Sequence, residues 1–321
     1  MATAAFVVEA ANALISPSNL ASENMTRACL PPYADITKPR FVAPAGACDC
    51  HAHVFGPYAT FPLAEDRSYT PPENDADRFI AHLDGLGLTR GVLVTASAQG
   101  DDNDNVLAAL RAYPDRLRAV AVVRADIADA ELDALTEAGV RGARFNLYKH
   151  EGKAVYRNGV GLADFDALAP RLKERGWHAQ IWVHAPDLPE LSSALLKPGI
   201  DLVVDHMGRM NTARGVGDAG FRYLCELLRA GRAWTKISGA DRNTTDGPPY
   251  ADITPFAQAL LRANPERVVW GTDWPHINYY ENAQMPDDGV LLNLLGDWLA
   301  DESMRRQVLV DNPARLYGFA G

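Results

Sequence analysis

The sequence contains eight short runs rich in β-branched residues, and stretches with helical periodicity separate them along the chain. The runs are CDCHAHVF (48–55), GVLVTAS (91–97), LRAVAVV (117–123), VRGARFNL (140–147), HAQIWVHA (178–185), DLVVDHMG (201–208), AWTKISG (233–239) and RVVWGTDW (267–274). Strands that alternate with helices are typical of a parallel sheet. The sequence therefore predicts an α/β protein with eight parallel strands.

Eight strand–helix units allow a closed (β/α)8 barrel, also called a TIM barrel, or an open doubly wound sheet. The first strand is not followed by a glycine-rich loop of the GxGxxG or Walker type, so a nucleotide site is not indicated. Polar residues instead stand at the C-terminal ends of several strands, where barrel enzymes place their catalytic groups. We therefore predict a single (β/α)8 barrel over residues 48–321, preceded by a proline-rich extension over residues 1–47.

Composition and charge argue against several classes of partner. The formal net charge is −10 and the sequence has no basic run, which argues against nucleic acid and against an anionic membrane surface. No apolar run reaches about 18 residues, the length that a membrane helix needs. The four cysteines, Cys29, Cys48, Cys50 and Cys225, lack zinc-finger spacing, which favours reduced thiols. The expectation is a cytoplasmic protein that acts on a small molecule, and a homo-oligomer is compatible with these features.

Candidate metal ligands stand at the ends of four predicted strands. His51 and His53 are two residues apart on the first strand, so both imidazoles should face the same side. This pair alone is equally consistent with hydrogen-bonded histidines of the core. His184, His206 and Asp273 end the fifth, sixth and eighth strands. Neutral imidazoles with one carboxylate suit Zn²⁺ or a similar ion, and a catalytic zinc site keeps one position open for water.

This order of ligands resembles the pattern of the amidohydrolase superfamily over roughly residues 47–318. The resemblance implies an amidohydrolase-type barrel that binds one divalent ion, expected to be Zn²⁺. The implied ligands are His51, His53, His184, His206 and Asp273. It also implies that Asp273 is the general base that activates water and that His206 is a further catalytic residue.

Five segments resemble the 2-pyrone-4,6-dicarboxylate hydrolase group of lactonases. They are DCHAHVFGP (49–57), RSYTPP (67–72), GARFN (142–146), VVDHMGR (203–209) and VVWGTDWPH (268–276). The resemblance implies hydrolysis of a small anionic lactone, in which Tyr69 assists catalysis near the ring. The arginines implied to hold substrate anions are Arg144, Arg209 and Arg242, and Ser97 and Gln99 are further candidates for substrate contacts.

Three positions depart from that group. His150 stands where those enzymes have another arginine, Trp182 where they have a second tyrosine, and His184 where the metal-independent members have a carboxylate. We keep His150 and Trp182 as candidate substrate-binding residues. These changes favour a metal-dependent enzyme that opens 4-sulfomuconolactone or a related muconolactone. Metal-independent hydrolysis of 2-pyrone-4,6-dicarboxylate, non-oxidative decarboxylation of an aromatic acid and a barrel that only binds its ligand are the alternatives.

Overall fold

A computed structural model describes residues 26–150, 152–156, 158–299 and 301–320. The strands are β1 (Cys48–Ala52), β2 (Arg90–Val94), β3 (Leu117–Ala121), β4 (Val140–Asn146), β5 (Lys149–His150), β6 (Lys153–Ala154), β7 (His178–Trp182), β8 (Leu202–Val204), β9 (Ala233–Lys236) and β10 (Val268–Val269). Eight of them form one parallel sheet in the order β1-β2-β3-β4-β7-β8-β9-β10, and β5 pairs with β6 in a separate antiparallel hairpin.

The sheet closes on itself between its last and first strands. Beyond β10 the chain stays beside β1, where the Cys50 N–H donates to the Trp270 carbonyl and the His53 N–H to the Trp274 carbonyl, both at 2.8 Å. The predicted (β/α)8 barrel is therefore confirmed. The predicted eighth strand extends to residue 274, whereas β10 ends at Val269. The residues after Val269 no longer form regular strand pairing because they turn into the C-terminal end of the barrel.

Helices cover the outside of the barrel. They are α1 (Ala76–Leu86), α2 (Asp104–Ala112), α3 (Asp129–Ala138), α4 (Leu162–Glu174), α5 (Leu188–Leu196), α6 (Ala219–Arg229), α7 (Thr254–Ala263), α8 (Asp288–Trp298), α9 (Glu302–Arg306) and α10 (Asn312–Tyr317). Shorter helical turns span Ser97–Gln99, Ala185–Asp187, His206–Arg209, Thr212–Arg214, Ala240–Asn243, Ala251–Ile253, Pro265–Arg267, Asn282–Gln284 and Gln307–Asp311. None of the helices in the described ranges is long and apolar enough to cross a membrane.

Helix α1 shows how the sequence fixes the ends and the packing of a barrel helix. The Asp75 carboxylate caps its first turn by accepting the Arg78 N–H, and Gly87 ends it in the left-handed conformation. Its buried face includes Phe79, which packs directly on β2. A side chain at Gly91 of β2 would lie 2.5 Å from the Phe79 ring, so this strand position requires glycine.

The barrel interior is apolar at its N-terminal end and polar at its C-terminal end. Buried side chains from six strands form the apolar layer, and Leu316, Tyr317 and Phe319 from the end of the chain pack against it. Cys48 and Cys50 belong to this layer. The pairing register of β1 and β2 shifts between Asp49 and Ala52. We infer that this irregularity allows His51 to turn to the polar end although Cys50 faces the apolar layer.

Residues 26–47 lie against the barrel and its loops. The Leu30 N–H donates to the Tyr279 carbonyl at 2.9 Å, and the Arg40 N–H donates to Asn293 Oδ1 at 2.6 Å. The division into a 1–47 extension and a 48–321 barrel remains a prediction, and residues 1–25 lie outside the described residues. The four cysteines are buried free thiols, as the sequence indicates.

Candidate active site

Two cavities lie at opposite ends of the barrel. The larger, of about 410 Å³, opens at the N-terminal ends of the strands beside His178 and Trp234. The smaller, of about 30 Å³, lies at the C-terminal end. Its walls are formed by His53, Arg144, Tyr156, Trp182, His206, Arg209, Arg242, Asp273, Ile277 and Asn278. Barrel enzymes hold their chemistry at this end, and it is here that histidine and carboxyl groups with shifted pKa values meet. We therefore assign the active site to the smaller cavity.

Left-handed backbone positions three side chains of the cavity wall: His206, Arg209 and Asp273. Four consecutive residues from His206 to Arg209 have φ values between 50° and 68°, and Asp273 has a φ of 69°. This conformation costs roughly 1–2 kcal/mol for a residue with a side chain, and such strain is concentrated at functional sites. Here the turn brings both His206 and Arg209 to the cavity wall. Gly239 leaves room for this turn, because a Cβ atom at position 239 would lie only 3.0 Å from His206 Cβ.

Three imidazoles converge on one carboxylate oxygen. Asp273 Oδ1 lies 3.5 Å from His51 Nε2, 3.5 Å from His53 Nε2 and 3.9 Å from His206 Nε2. Ligands about 2.0–2.1 Å from a tetrahedral zinc ion lie about 3.3 Å from one another, so this spacing is close to that of a zinc site. Two overlapping groups, His51–His53–Asp273 and His51–Asp205–His206, each have ligand atoms within 4.8 Å of one another.

The hydrogen bond of His53 and the neutral state of His51 and His206 also fit a metal ion. His53 Nδ1 lies 2.6 Å from the Val94 carbonyl, which can only accept, so the ring proton is on Nδ1 and the Nε2 lone pair faces Asp273. His51 Nε2 is buried and has no hydrogen-bond partner. Burial lowers the pKa of His206 to about 4, and burial together with Lys236 lowers the pKa of His51 well below its usual value. Both rings are therefore neutral at pH 7, as metal binding requires.

Arg242 holds the second oxygen of Asp273. Its Nε donates to Asp273 Oδ2 at 2.7 Å, and another of its nitrogens donates to the Ile277 carbonyl at 3.0 Å. Burial by itself would raise the pKa of Asp273, but the charge of Arg242 and the neighbouring imidazoles hold that pKa well below its usual value. Asp273 is thus ionised at neutral pH, and its Oδ2 is fixed by Arg242. Arg242 therefore both binds this carboxylate and forms part of the cavity wall.

Arg144 and Arg209 leave donors unused beside the cavity. The Nε atom of each is buried without a hydrogen-bond partner. Arg144 lies 4.0 Å from Asp205, and Arg209 makes a long contact of 3.4 Å to Asn243 Oδ1. Unsatisfied guanidinium donors in a buried wall are costly, and an anionic ligand would satisfy them. This arrangement supports the predicted role of both arginines in substrate binding.

An aromatic wall forms another side of the cavity. The Tyr156 and Trp182 rings stack with centroids 4.8 Å apart and an interplanar angle of 20°. Tyr148 packs against Trp182 at 4.8 Å, and Tyr69 lies 5.7 Å from Tyr156. The Asn278 amide donates to the Tyr156 hydroxyl at 2.9 Å. Trp182 is therefore in the cavity wall, whereas Tyr69 lies next to Tyr156, one residue away from the wall.

Besides Tyr69 and His51, four of the predicted residues are not in the cavity wall among the residues that the structure describes: His184, His150, Ser97 and Gln99. His184 is outside the ligand groups, and the charges that act on it most strongly are those of Asp187 and Arg214. His150 is in the β5–β6 hairpin. Gln99 accepts the Ala96 N–H and donates to the Val54 carbonyl, which holds the loop after β2, and the Ser97 hydroxyl lies 3.4 Å from the Tyr69 hydroxyl.

A buried polar network lies next to the ligand group, and the sequence analysis missed it. Lys236 Nζ lies 2.7 Å from Gln180 Oε1, 3.1 Å from His51 Nδ1 and 3.3 Å from Asp205 Oδ1. Burial opposes the ionisation of Asp205, but Lys236 and His51 hold its pKa well below the usual value. A lysine within a predicted strand of the barrel was the available signal for this network.

A second buried group lies behind Asp273. His276 Nε2 is 2.9 Å from Asp288 Oδ1, and His82 Nε2 is 3.6 Å from the other oxygen of Asp288. Burial lowers the pKa of His276, but the carboxylate of Asp288 outweighs it and raises that pKa. The backbone N–H of His276 donates to the backbone carbonyl of Asp273 at 2.9 Å. These contacts hold the turn that carries Asp273.

Comparison with known proteins agrees with this geometry. The amidohydrolase family model matches residues 48–319. The 4-sulfomuconolactone hydrolase of Hydrogenophaga intermedia is 36% identical over 290 residues, which cover 90% of this chain and 94% of that protein. The 2-pyrone-4,6-dicarboxylate hydrolase of Comamonas testosteroni is 39% identical over 300 residues, which cover 89% of this chain and 94% of that protein.

A solved structure extends the comparison to the fold. The crystal structure of a probable 2-pyrone-4,6-dicarboxylic acid hydrolase from Acinetobacter baumannii, with citric acid bound, is 28% identical and superposes with a TM-score of 0.73. The match covers 85% of this chain and 100% of that one. These matches confirm the resemblance that the sequence motifs indicated and the prediction of a hydrolase. The chain therefore belongs to the amidohydrolase family.

Proposed function

We propose that this protein is a metal-dependent lactonase that opens a small anionic lactone of aromatic catabolism, 4-sulfomuconolactone or a related muconolactone. One observation carries the proposal: Asp273, His53 and His206 line the same cavity as Arg144 and Arg209, whose Nε atoms have no hydrogen-bond partner. A hydrolytic centre and an anion-binding wall are thus adjacent. The names of both curated relatives refer to hydrolysis of lactones that carry acidic groups.

Asp273 is placed to move the proton of the attacking water. Arg242 fixes Oδ2, so Oδ1 is the oxygen that faces the imidazoles and the cavity. Asp273 takes a proton as the water oxygen adds to the lactone carbonyl carbon. The ring C–O bond then breaks, and the same proton passes to the oxygen that leaves. One water is added, and the product is the ring-opened acid.

The residues present would hold one divalent ion through His51, His53, His206 and Asp273. When bound, such an ion lowers the pKa of a water from about 15.7 to about 7. Because Arg242 keeps the pKa of Asp273 low, this carboxylate is a weak base towards unactivated water. The mismatch in pKa between carboxylate and free water favours the metal-dependent reaction over the metal-independent one.

Metal-independent hydrolysis of 2-pyrone-4,6-dicarboxylate is the second candidate, and the aromatic wall favours it. A planar pyrone ring could lie against the stacked rings of Tyr156 and Trp182. Its two carboxylates would face Arg144 and Arg209. The cavity of about 30 Å³ has room for about one water. Either lactone therefore requires side chains of the wall to move when it binds.

The reaction is tested by its product. Zinc-replete and chelator-treated enzyme are incubated with 4-sulfomuconolactone and, separately, with 2-pyrone-4,6-dicarboxylate, and products are identified by mass spectrometry. We expect a gain of one water on the muconolactone, with turnover that follows zinc content. Turnover of the pyrone by metal-free enzyme would favour the second candidate. Loss of CO₂ from an aromatic acid, with both lactones untouched, would identify a decarboxylase and reject both.

Removing one unsatisfied guanidinium is expected to weaken substrate binding. A hydrogen bond between charged groups contributes about 1.5–3 kcal/mol, so Arg209→Met should raise KM by about 10- to 100-fold. Arg222→Met is the matched control, because Arg222 is exposed on α6. Steady-state kinetics on both variants make the comparison. Equal KM values for Arg209→Met and the wild type would exclude Arg209 from anion binding.

A further inference from the structure

Lys236 has an unusual position for a lysine. It ends β9 inside the barrel, and both its side chain and that of Asp205 are fully buried. Its Nζ contacts Gln180 and His51, and the Gln180 amide donates to Asp205 Oδ2 at 3.0 Å. Burying a charge is expensive unless partners offset the cost, and the carboxylate of Asp205 stabilises this ammonium. Among the described residues, the imidazole that Lys236 contacts is that of His51.

An ammonium group has donors and no acceptor, so the contact with Lys236 makes His51 Nδ1 an acceptor. The single proton of the neutral ring is then on Nε2, which lies 3.5 Å from Asp273 Oδ1. A metal ion needs the lone pair of Nε2 and therefore the opposite tautomer. In that tautomer Nδ1–H would face Asp205 Oδ1, which lies 3.3 Å away and has no hydrogen-bond partner among the described residues.

The other two imidazoles are not opposed in this way. His53 Nδ1 faces the Val94 carbonyl, an obligatory acceptor that fixes the metal-binding tautomer. His206 Nδ1 faces the Ser238 hydroxyl at 2.9 Å, and a hydroxyl can donate or accept. His51 is therefore the ligand at which a fixed donor and a fixed acceptor compete for one ring nitrogen.

We propose that Lys236 and Asp205 are positioning residues that drive His51 towards opposite tautomers and so set the affinity of the site for a divalent cation. Lys236 stabilises the metal-free tautomer, in which Nε2–H faces Asp273. Asp205 stabilises the metal-binding tautomer. The inference rests on the proposed function only in taking His51, His53, His206 and Asp273 as a metal site. It does not depend on which lactone is the substrate.

Zinc affinity of the metal-free full-length chain tests the inference without any assay of turnover. Competition with a chromophoric chelator gives Kd for the wild type, Lys236→Met and Asp205→Asn. We expect Lys236→Met to bind zinc at least about tenfold more tightly and Asp205→Asn at least about tenfold more weakly, the scale of changes beside metal ligands. Lys173→Met, at an exposed lysine of α4, is the control. A lysine with only a structural role would not give tighter binding on removal.

The wild type provides a second readout that does not require any Lys236 variant to fold. Nitrogen NMR of ¹⁵N-histidine-labelled protein, assigned with His51→Gln, shows which ring nitrogen carries the proton. We expect Nε2–H in the metal-free protein and Nδ1–H after zinc is added. An Nδ1–H tautomer before zinc, or zinc binding by Lys236→Met that is equal, weaker or absent, would overturn the inference. Failure of lactone hydrolysis with both metal results intact would reject only the proposed function.

Discussion

Replacing Asp273 with asparagine is expected to lower kcat by about 10²- to 10⁴-fold while KM changes much less. The amide has nearly the same size as the carboxylate but cannot take the proton of the attacking water or return it to the leaving oxygen. Arg242 would lose its charged acceptor at 2.7 Å, but its contact with the Ile277 carbonyl remains. The loss should therefore appear mainly in the chemical step.

Steady-state kinetics at saturating lactone measure this effect, and the zinc content of each sample is determined in parallel. If the variant keeps its zinc and loses kcat, the effect is on proton transfer. If zinc and kcat are lost together, the effect is on the ligand role of Asp273. A kcat within about threefold of the wild type would rule out the base role, because general-base catalysis contributes far more than that.

His53→Gln is expected to remove both bound zinc and nearly all turnover. His53 is the imidazole whose tautomer is fixed for metal binding by the Val94 carbonyl, and its Nε2 lies 3.5 Å from Asp273 Oδ1. Glutamine offers an amide in place of the neutral imidazole that zinc prefers. Metal analysis of the purified variant, followed by rate measurement with and without added zinc, gives both quantities.

His184→Gln is the matched control, and it also tests a prediction of the sequence analysis. The ligand order of the family implies that His184 binds the metal, yet it lies outside the groups of converging ligand atoms among the described residues. We expect the variant to retain most of its zinc. Loss of zinc equal to that in His53→Gln would return His184 to the ligand set and would show that the loop after β7 turns inward when metal binds.

The fold was predictable because it depends on patterns that are local in the sequence. Alternating β-branched runs and helical stretches specify strand–helix units, and eight such units close into a barrel. The proximity of four site residues could also be predicted, because the C-terminal ends of the strands of a barrel meet at one face. These residues are His51, His53, His206 and Asp273. The structure brings these four residues together.

The roles of several other residues depend on contacts that no local pattern encodes. Arg242 binds the carboxylate of Asp273 directly, and Tyr156 reaches the cavity from the segment beyond the β5–β6 hairpin. The side chain of His82, on α1, is buried beside Asp288. These outcomes follow from how loops and helices pack on the barrel, which the spacing of residues within one element does not determine.

The sequence by itself determined the barrel, the family and the chemical types of the site residues, because periodicity and strand-end position act within single elements. Only the tertiary structure decided which ring nitrogen of each candidate ligand carries the proton, because that depends on partners from other strands. Val94 on β2 orients His53, whereas Lys236 on β9 and Asp205 after β8 compete for His51. Lys236 and Asp205 come from different parts of the chain and contact the His51 ring only after the barrel has closed. These two contacts determine which nitrogen of the ring carries the proton.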